Sequence, residues 1–526
     1  MNRRKFLRAA GTTGLAVTAL PSLIDSVSVR ALAGGDPRLQ QLLESQDRVL
    51  VIIQMAGGND GLNTIIPYTD PLYYQRRPTI GIPKNKALRL NDTLGFHPAL
   101  SGLRDLFEQG SLAIVQGVTY PNPDRSHFRG SDIWLTATDA DVYGTTGWVG
   151  RYLQTLAPNY PTQLPEHPLA VQIGTSISLG LLGATGTMGI SFRDPDEFYR
   201  LVNGGGSIEE VPSGLQGDTP AGREVAFMRN IARSADVYAE IVKQASDKAG
   251  ASTVPYPTSE LGSKLKMVSQ LVSGGLKSRV FLVSWANNNF DTHANQTSTS
   301  DPTLGAHAGL LGELGEAVSA FMTDMKNRGF AEKISGMTFS EFGRRVAENG
   351  SVGTDHGTAA PLFVFGADVK GGVYGKNPNL TDLDDYGDLL MENDYRDVYA
   401  SVLLQWFGTT QTKAQEVLLR DFSPGALPLF KTSTTSVNDG EASPAAFVSV
   451  GPNPATDHVV VRARVDAHST SSLTLSNLRG IALRNVSLDS WTGVGTVDLT
   501  GLSQGTYLLT LRSDRAVTHT FVQISR

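Results

Sequence analysis

The chain of 526 residues holds nine histidines and no cysteine. Disulfides, thiolate metal sites, iron–sulfur clusters and a cysteine nucleophile are therefore excluded, and any metal must be held by imidazoles and carboxylates. Those residue types recur in short polar runs beside apolar ones. Gly57-Gly58-Asn59-Asp60-Gly61 follows one apolar run, Asn289-Phe290-Asp291-Thr292-His293 ends the polar stretch after a second, and Ser340-Glu341-Phe342-Gly343-Arg344 follows a third. Gly353-Thr354-Asp355-His356-Gly357 precedes a fourth. Asp60, Asp291, His293, Glu341, Asp355 and His356 are six oxygen and nitrogen donors, a set that suits one or two divalent ions such as Zn, Mn or Mg. A further run, Asp124-Arg125-Ser126-His127-Phe128-Arg129-Gly130, adds a hydroxyl, an imidazole and two guanidinium groups.

Each residue also has a plainer use. Asp60 among glycines suits a turn, and Asp355-His356 between glycines suits an exposed one. Glu341 has Arg344 nearby as a salt-bridge partner, and Ser126 suits a helix cap. His97 and His307 fit capping or packing roles. What favours a site is the placement of the set. Apolar runs typical of buried strands lie at 49–55, 112–118, 169–173, 280–285, 334–339 and 362–365. Helical patterns separate them, at 98–107 and 224–248, with a further stripe of Leu310, Leu314, Val318, Phe321 and Met325. Such alternation predicts an α/β fold, a doubly wound and mostly parallel sheet with helices on both faces, in which ligands bind at the carboxyl ends of the strands. The segment 194–257, with Gly204-Gly205-Gly206 and several prolines, is expected to be a lid or helical insertion.

The two ends carry transport signals. Arg3, Arg4 and Lys5, an apolar stretch over 9–23 and Ala31-Leu32-Ala33 form an export signal over 1–33, with cleavage expected after Ala33. Its start, Asn2-Arg3-Arg4-Lys5-Phe6-Leu7, resembles the twin-arginine signal. The apolar run is too short and too polar for a membrane anchor, so the mature chain is expected to have none. A Ser/Thr/Gly-rich linker at 431–446 leads to alternating strands over 447–526, a small all-β sandwich. Gly451-Pro452-Asn453-Pro454-Ala455 and Leu502-Ser503-Gln504-Gly505-Thr506-Tyr507 resemble the C-terminal sorting domain of type IX secretion substrates. Together the ends imply twin-arginine and type IX secretion machinery as partners, and a cell-surface or extracellular location. With 51 acidic against 45 basic residues, the net charge of −6 provides no basic footprint for nucleic acid.

Between the ends, over 34–430, the ordered motifs carry a further resemblance. The Gly57–Asn63 stretch, Ser126-His127-Phe128, Trp285 through Asp291-Thr292-His293, Ser340 to Arg344 and Thr354-Asp355-His356-Gly357 resemble a twin-arginine-exported bacterial family of unknown function related to sulfatases and alkaline phosphatases. The resemblance implies the alkaline-phosphatase-like fold, with Asp60 as first metal ligand, Ser126 as nucleophile, Asp291 and His293 as an Asp/His pair, and His356 as the late His. Glu341 stands where the superfamily has Asp, and Phe342 where it has His. Arg125 or Arg129 would neutralise the oxygens of a bound phosphate or sulfate, with His127 as a functional neighbour. The activity implied is metal-dependent hydrolysis of phosphate or sulfate esters, of a small molecule or a glycan. The other expectation is a non-catalytic surface protein that keeps the fold and binds polysaccharide or cell-envelope material.

Overall fold

The computed structural model describes residues 47–204, 220–285, 289–431, 446–464, 471–477, 481–487, 494–512 and 517–525. The export signal, most of the linker and Gly205-Gly206 lie outside them. The chain divides into two compact units, the larger within Arg38–Thr434 and the smaller within Thr435–Arg526. Among the described residues no helix is long and apolar enough to cross a membrane.

The larger unit is built on a nine-stranded sheet. Its strands are β1 (Val49–Met55), β2 (Leu112–Thr119), β3 (Ala170–Ile173), β4 (Gly189–Phe192), β5 (Val280–Trp285), β6 (Ile334–Phe339), β7 (Ala360–Gly366), β8 (Gly372–Tyr374) and β9 (Asn393–Asp394). Their order is β8-β2-β7-β6-β1-β5-β3-β4, with β9 also on β2. β1 runs parallel to both β5 and β6, so the polar residues after all three emerge on one edge. β7 runs antiparallel to β6 and to β2. Its amino end therefore lies on that same edge, which is why His356, placed before a strand, reaches residues placed after strands.

The alternation of β1 explains why its sequence is uninterruptedly apolar. Val49, Val51, Ile53 and Met55 enter one core, and Leu50 and Ile52 enter another on the opposite face. The first core is covered by helices α1 (Ser101–Glu108), α5 (Pro220–Lys248), α6 (Glu260–Ser273) and α7 (Ala306–Asn327). The second is covered by α2 (His127–Thr136), α3 (Trp148–Leu156) and α8 (Tyr395–Ser401). There Trp134 of α2 stacks on Phe339 and Tyr395, with ring centroids 5.7 and 4.4 Å apart, and its indole donates to the Glu341 carbonyl at 3.1 Å. The start of α2 is thereby fixed to the end of β6. The segment expected as a lid or insertion holds α4 (Pro195–Gly204) and α5. Sequence patterning did not reveal β4, β8 or β9, which are too short for an alternation to show.

The smaller unit contains two sheets: β10 (Ala446–Gly451), β11 (His458–Arg464) and β14 (Val494–Asp498), and β12 (Ser472–Ser476), β13 (Ala482–Ser487), β15 (Gly505–Arg512) and β16 (Val517–Ile524). Val459, Val461 and Val497 of the first share one core with Leu473, Leu475, Leu509 and Leu511 of the second, which makes the unit a sandwich.

Candidate metal centre

His127, the first residue of α2, and Asp291 and His356 from two loops bring one ligand atom each within 4.8 Å of one another. His293 joins them. Its Nε2 is 2.9 Å from His356 Nε2 and 3.0 Å from Asp291 Oδ1. Asp291 spans the group, with Oδ1 3.1 Å from His356 Nε2 and Oδ2 3.4 Å from His127 Nε2.

The other nitrogen of each imidazole faces an acceptor. His127 Nδ1 lies 2.7 Å from Glu341 Oε1, His293 Nδ1 3.0 Å from Asp355 Oδ1, and His356 Nδ1 2.8 Å from the Arg125 carbonyl. A carbonyl or ionised carboxylate only accepts, so each neutral ring carries its proton on Nδ1 and turns the Nε2 lone pair inward. Two such lone pairs 2.9 Å apart repel unless something positive lies between them. Nitrogens sharing a tetrahedral zinc at about 2.0–2.1 Å stand about 3.3 Å apart, close to the separation here. Fixing of the outer nitrogen by a carboxylate or carbonyl is the usual companion of a metal-binding His. Glu341 Oε2 and His127 Nε2 are buried and have no hydrogen-bond partner among the described residues. The donor set thus fits a divalent cation.

The electrostatics follow from the same contacts. Burial pushes the Asp291 carboxyl up, but the hydrogen bond from Arg344 and its positive charge lead the effects that outweigh it and hold the group at about 2. The hydrogen bond to Glu341 raises His127, whereas burial lowers His356. Bonds from Asn349 and His293 lower Asp355. Arg344, a candidate partner for Glu341 by sequence, pairs instead with Asp291 at 2.6 Å. Its remaining donors reach the carbonyls of Gly58, Thr354 and Phe290 at 2.7, 2.9 and 3.1 Å. One guanidinium thus laces three loops together. Phe342 fills the space beside it, with its ring centroid 4.9 Å from that of His127 and 4.5 Å from that of His356. Gly58, at φ +79°, makes room for that ring, because a Cβ there would lie 2.4 Å from Phe342 Cε2.

The other expected residues are placed as follows. Glu341 and Asp355 stand behind the imidazoles as acceptors. Asp60 is fully buried and paired with Arg77 at 2.6 Å, with Gln296 also donating to it. Desolvation raises its carboxyl, but Arg77 and its other partners hold it below the usual range. Ser126 is the exposed N-cap of α2, its hydroxyl accepting from the Arg129 backbone at 3.5 Å. The Arg129 guanidinium donates to the carbonyls of Ala140 and Val142 at 2.8 Å. Arg125 binds Asp384 and Asp388. His97 caps a 3-10 turn through Nδ1, and His307 bonds Asn59 at 3.0 Å. Arg77 and Gln296 were missed by sequence reasoning, and no motif marks either.

Fold and cluster together define an α/β protein with a His/Asp site able to hold a metal. Residues 242–419 match the family described as a protein of unknown function, DUF1501, and residues 449–524 match the secretion system C-terminal sorting domain. The chain therefore carries a DUF1501 domain followed by a type IX sorting domain, and that sorting domain supports an exported location. No curated protein matches. Similar solved structures include the PsFucS1 sulfatase from Pseudoalteromonas sp., 12% identical over 90% of this chain and 88% of that one, with a TM-score of 0.32. The phosphonate monoester hydrolase SpPMH from Silicibacter pomeroyi is 10% identical over 91% and 89%, TM-score 0.30. The lipoteichoic acid synthase LtaP from Listeria monocytogenes is 8% identical over 76% and 82%, TM-score 0.31.

Proposed function

We propose that this protein is an exported, metal-dependent hydrolase of phosphate or sulfate esters. The observation that carries the proposal is the convergence of three imidazole Nε2 atoms and Asp291, each ring oriented by an acceptor on its outer nitrogen. His127, Asp291, His293 and His356 would hold the ion or ions, and Glu341 and Asp355 would orient their rings. A divalent cation so held polarises a phosphoryl or sulfuryl oxygen and stabilises an alkoxide or hydroxide at neutral pH.

The chain's own groups do the rest. Ser126 is the nucleophile assigned by this proposal: it is exposed, it directly precedes His127, and it caps a ten-residue helix whose N-terminal N–H groups favour a developing negative charge. Arg344 keeps Asp291 ionised. Phe342 excludes water from one side of His127 and His356. The guanidinium groups of Arg125 and Arg129 are engaged elsewhere, so neutralisation of the substrate's oxygens falls to the helix start. Twin-arginine export before type IX secretion, and a catalytic unit over 34–430, belong to the same proposal.

A specific observation favours the second possibility, a non-catalytic binding protein. Phe342 occupies the ring space beside His127 and His356, at the sequence position where the resemblance to sulfatases and alkaline phosphatases implies a further His. Metal analysis with an ester panel separates the two. The mature protein should contain at least one divalent metal per chain and hydrolyse nitrophenyl phosphate, a nitrophenyl phosphodiester or nitrophenyl sulfate. His356→Ala should abolish both. Metal below a tenth per chain and no turnover after adding Zn or Mn would overturn the enzyme proposal.

A further inference from the structure

Large aromatic side chains are rarely left in water, because an exposed ring forgoes the free energy of burying its large apolar area. Three exposed rings lie on or against the segment 125–129, which holds His127. Phe128, next to His127, is 84% exposed, Tyr143 80% and Tyr386 66%. Phe128 lies in the first turn of α2, and the other two rings are contacted by Arg129 of that turn and by Arg125 of the loop before it. Arg129 stacks its guanidinium under Tyr143 with its carbon 4.0 Å from the ring centroid, and is itself tied to the carbonyls of Ala140 and Val142. Arg125, whose carbonyl orients His356, lies 4.7 Å from the Tyr386 ring and is fixed by Asp384 and Asp388. Two of the rings are thus braced from below by immobilised cations and present their other side to solvent. Such bracing fixes a ring before a ligand arrives and lowers the entropy lost on binding.

We infer that Phe128, Tyr143 and Tyr386 are a saccharide platform, and that the ester cleaved at the metal centre is carried by a glycan chain. This inference rests on the ester-hydrolase proposal. The chemistry selects the occupant. A pyranose offers a flat C–H face to a ring and hydroxyls at its edge to polar groups, and both tyrosine rings stand beside such groups: Arg129 at Tyr143, and Arg125 and Asp384 at Tyr386. A lipid surface or protein partner would call for a continuous apolar patch, and among the described residues these rings make no contact with one another. Nucleic-acid bases also stack on exposed rings, but only within a basic groove. The net charge of −6 and the pairing of Arg125 with two aspartates provide none.

The test uses the full mature chain loaded with Zn or Mn. Binding of a sulfated galactan oligosaccharide, a phosphorylated mannan oligosaccharide and phosphatidylglycerol vesicles is measured by calorimetry, separately from turnover. The combined variant Phe128→Ala, Tyr143→Ala, Tyr386→Ala should bind the preferred oligosaccharide at least tenfold more weakly with an unchanged Tm. Leu201→Ser, which alters an exposed apolar side chain on α4, should bind like the parent. The inference is overturned if the parent binds neither oligosaccharide, if the combined variant binds as tightly as the parent, or if the rings are needed for vesicles rather than saccharide. Ring-dependent glycan binding without turnover would uphold the platform and refute the hydrolase. Turnover of nitrophenyl esters without glycan binding would do the reverse.

Discussion

Asp60→Asn distinguishes a structural carboxylate from a ligand. Asp60 and Arg77 both have fully buried side chains and meet at 2.6 Å. In the variant Arg77 keeps its bonds to Asn63, Val346 and Arg345 but loses its counter-charge. Removing one partner of a buried ion pair costs about 3–5 kcal/mol. The larger unit has about 400 residues, and an unfolding entropy near 2.1 cal/mol/K per residue gives it about 0.8 kcal/mol/K. The expected fall in Tm is therefore about 4–6 °C. Thermal unfolding by circular dichroism measures this, and elemental analysis of the same samples measures metal. Asp60→Asn should retain the parent's metal content while His356→Ala loses it. A variant that keeps its Tm within 1 °C but loses its metal would refute the reasoning and make Asp60 a ligand.

Other expectations follow from single contacts. Glu341→Gln keeps an acceptor for His127 but removes the charge behind it, so metal affinity by calorimetry should weaken about 10- to 100-fold without unfolding; unchanged affinity would remove Glu341 from the site. Burial pushes His97 down to about 3 and His307 to about 4, below their ordinary value of 6.5. The unfolded chain then binds protons that the folded chain refuses, so stability is full above pH 6.5 and falls below it, by about 4 kcal/mol at pH 5 for the two together. Denaturant titrations should show this slope roughly halved in His307→Gln, and an unaltered slope would contradict it. Gly58→Ala forces a left-handed backbone onto an L side chain and drives a Cβ into Phe342. The expected cost is about 2–4 kcal/mol, seen as a Tm lower by about 2–5 °C.

The long strands were legible because both of their faces are buried, which writes an unbroken apolar run into 49–55, 280–285 and 334–339. The antiparallel sense of β7 was not, since a buried run looks the same in either direction. At the site, residue types at strand ends singled out Asp291, His293, His356 and His127, which the structure brings together, but not their geometry. Whether Glu341 touches a metal or only the outer nitrogen of His127 depends on a few ångströms of side-chain reach. Asp60 reads as a ligand beside glycines, and its pairing with Arg77 was not legible because that partner lies seventeen residues on, in a segment with no motif.

The antiparallel placement of β7 also bears on how the centre comes into being. Glu341, Arg344, Asp355 and His356 belong to one connection between adjacent strands, joined midway by the Arg344–His356 bridge, so that half can form from local chain. His127 and Asp291 arrive from elements far away in sequence, whose closure is slow and comes at an entropic cost. No unfolded chain holds the complete donor set. A cation that binds only the folded unit adds about 2.7 kcal/mol to its stability at a hundred times its dissociation constant. Folding and the loading of such a cation would then be one equilibrium, and the compartment in which the chain folds would decide which ion the site takes.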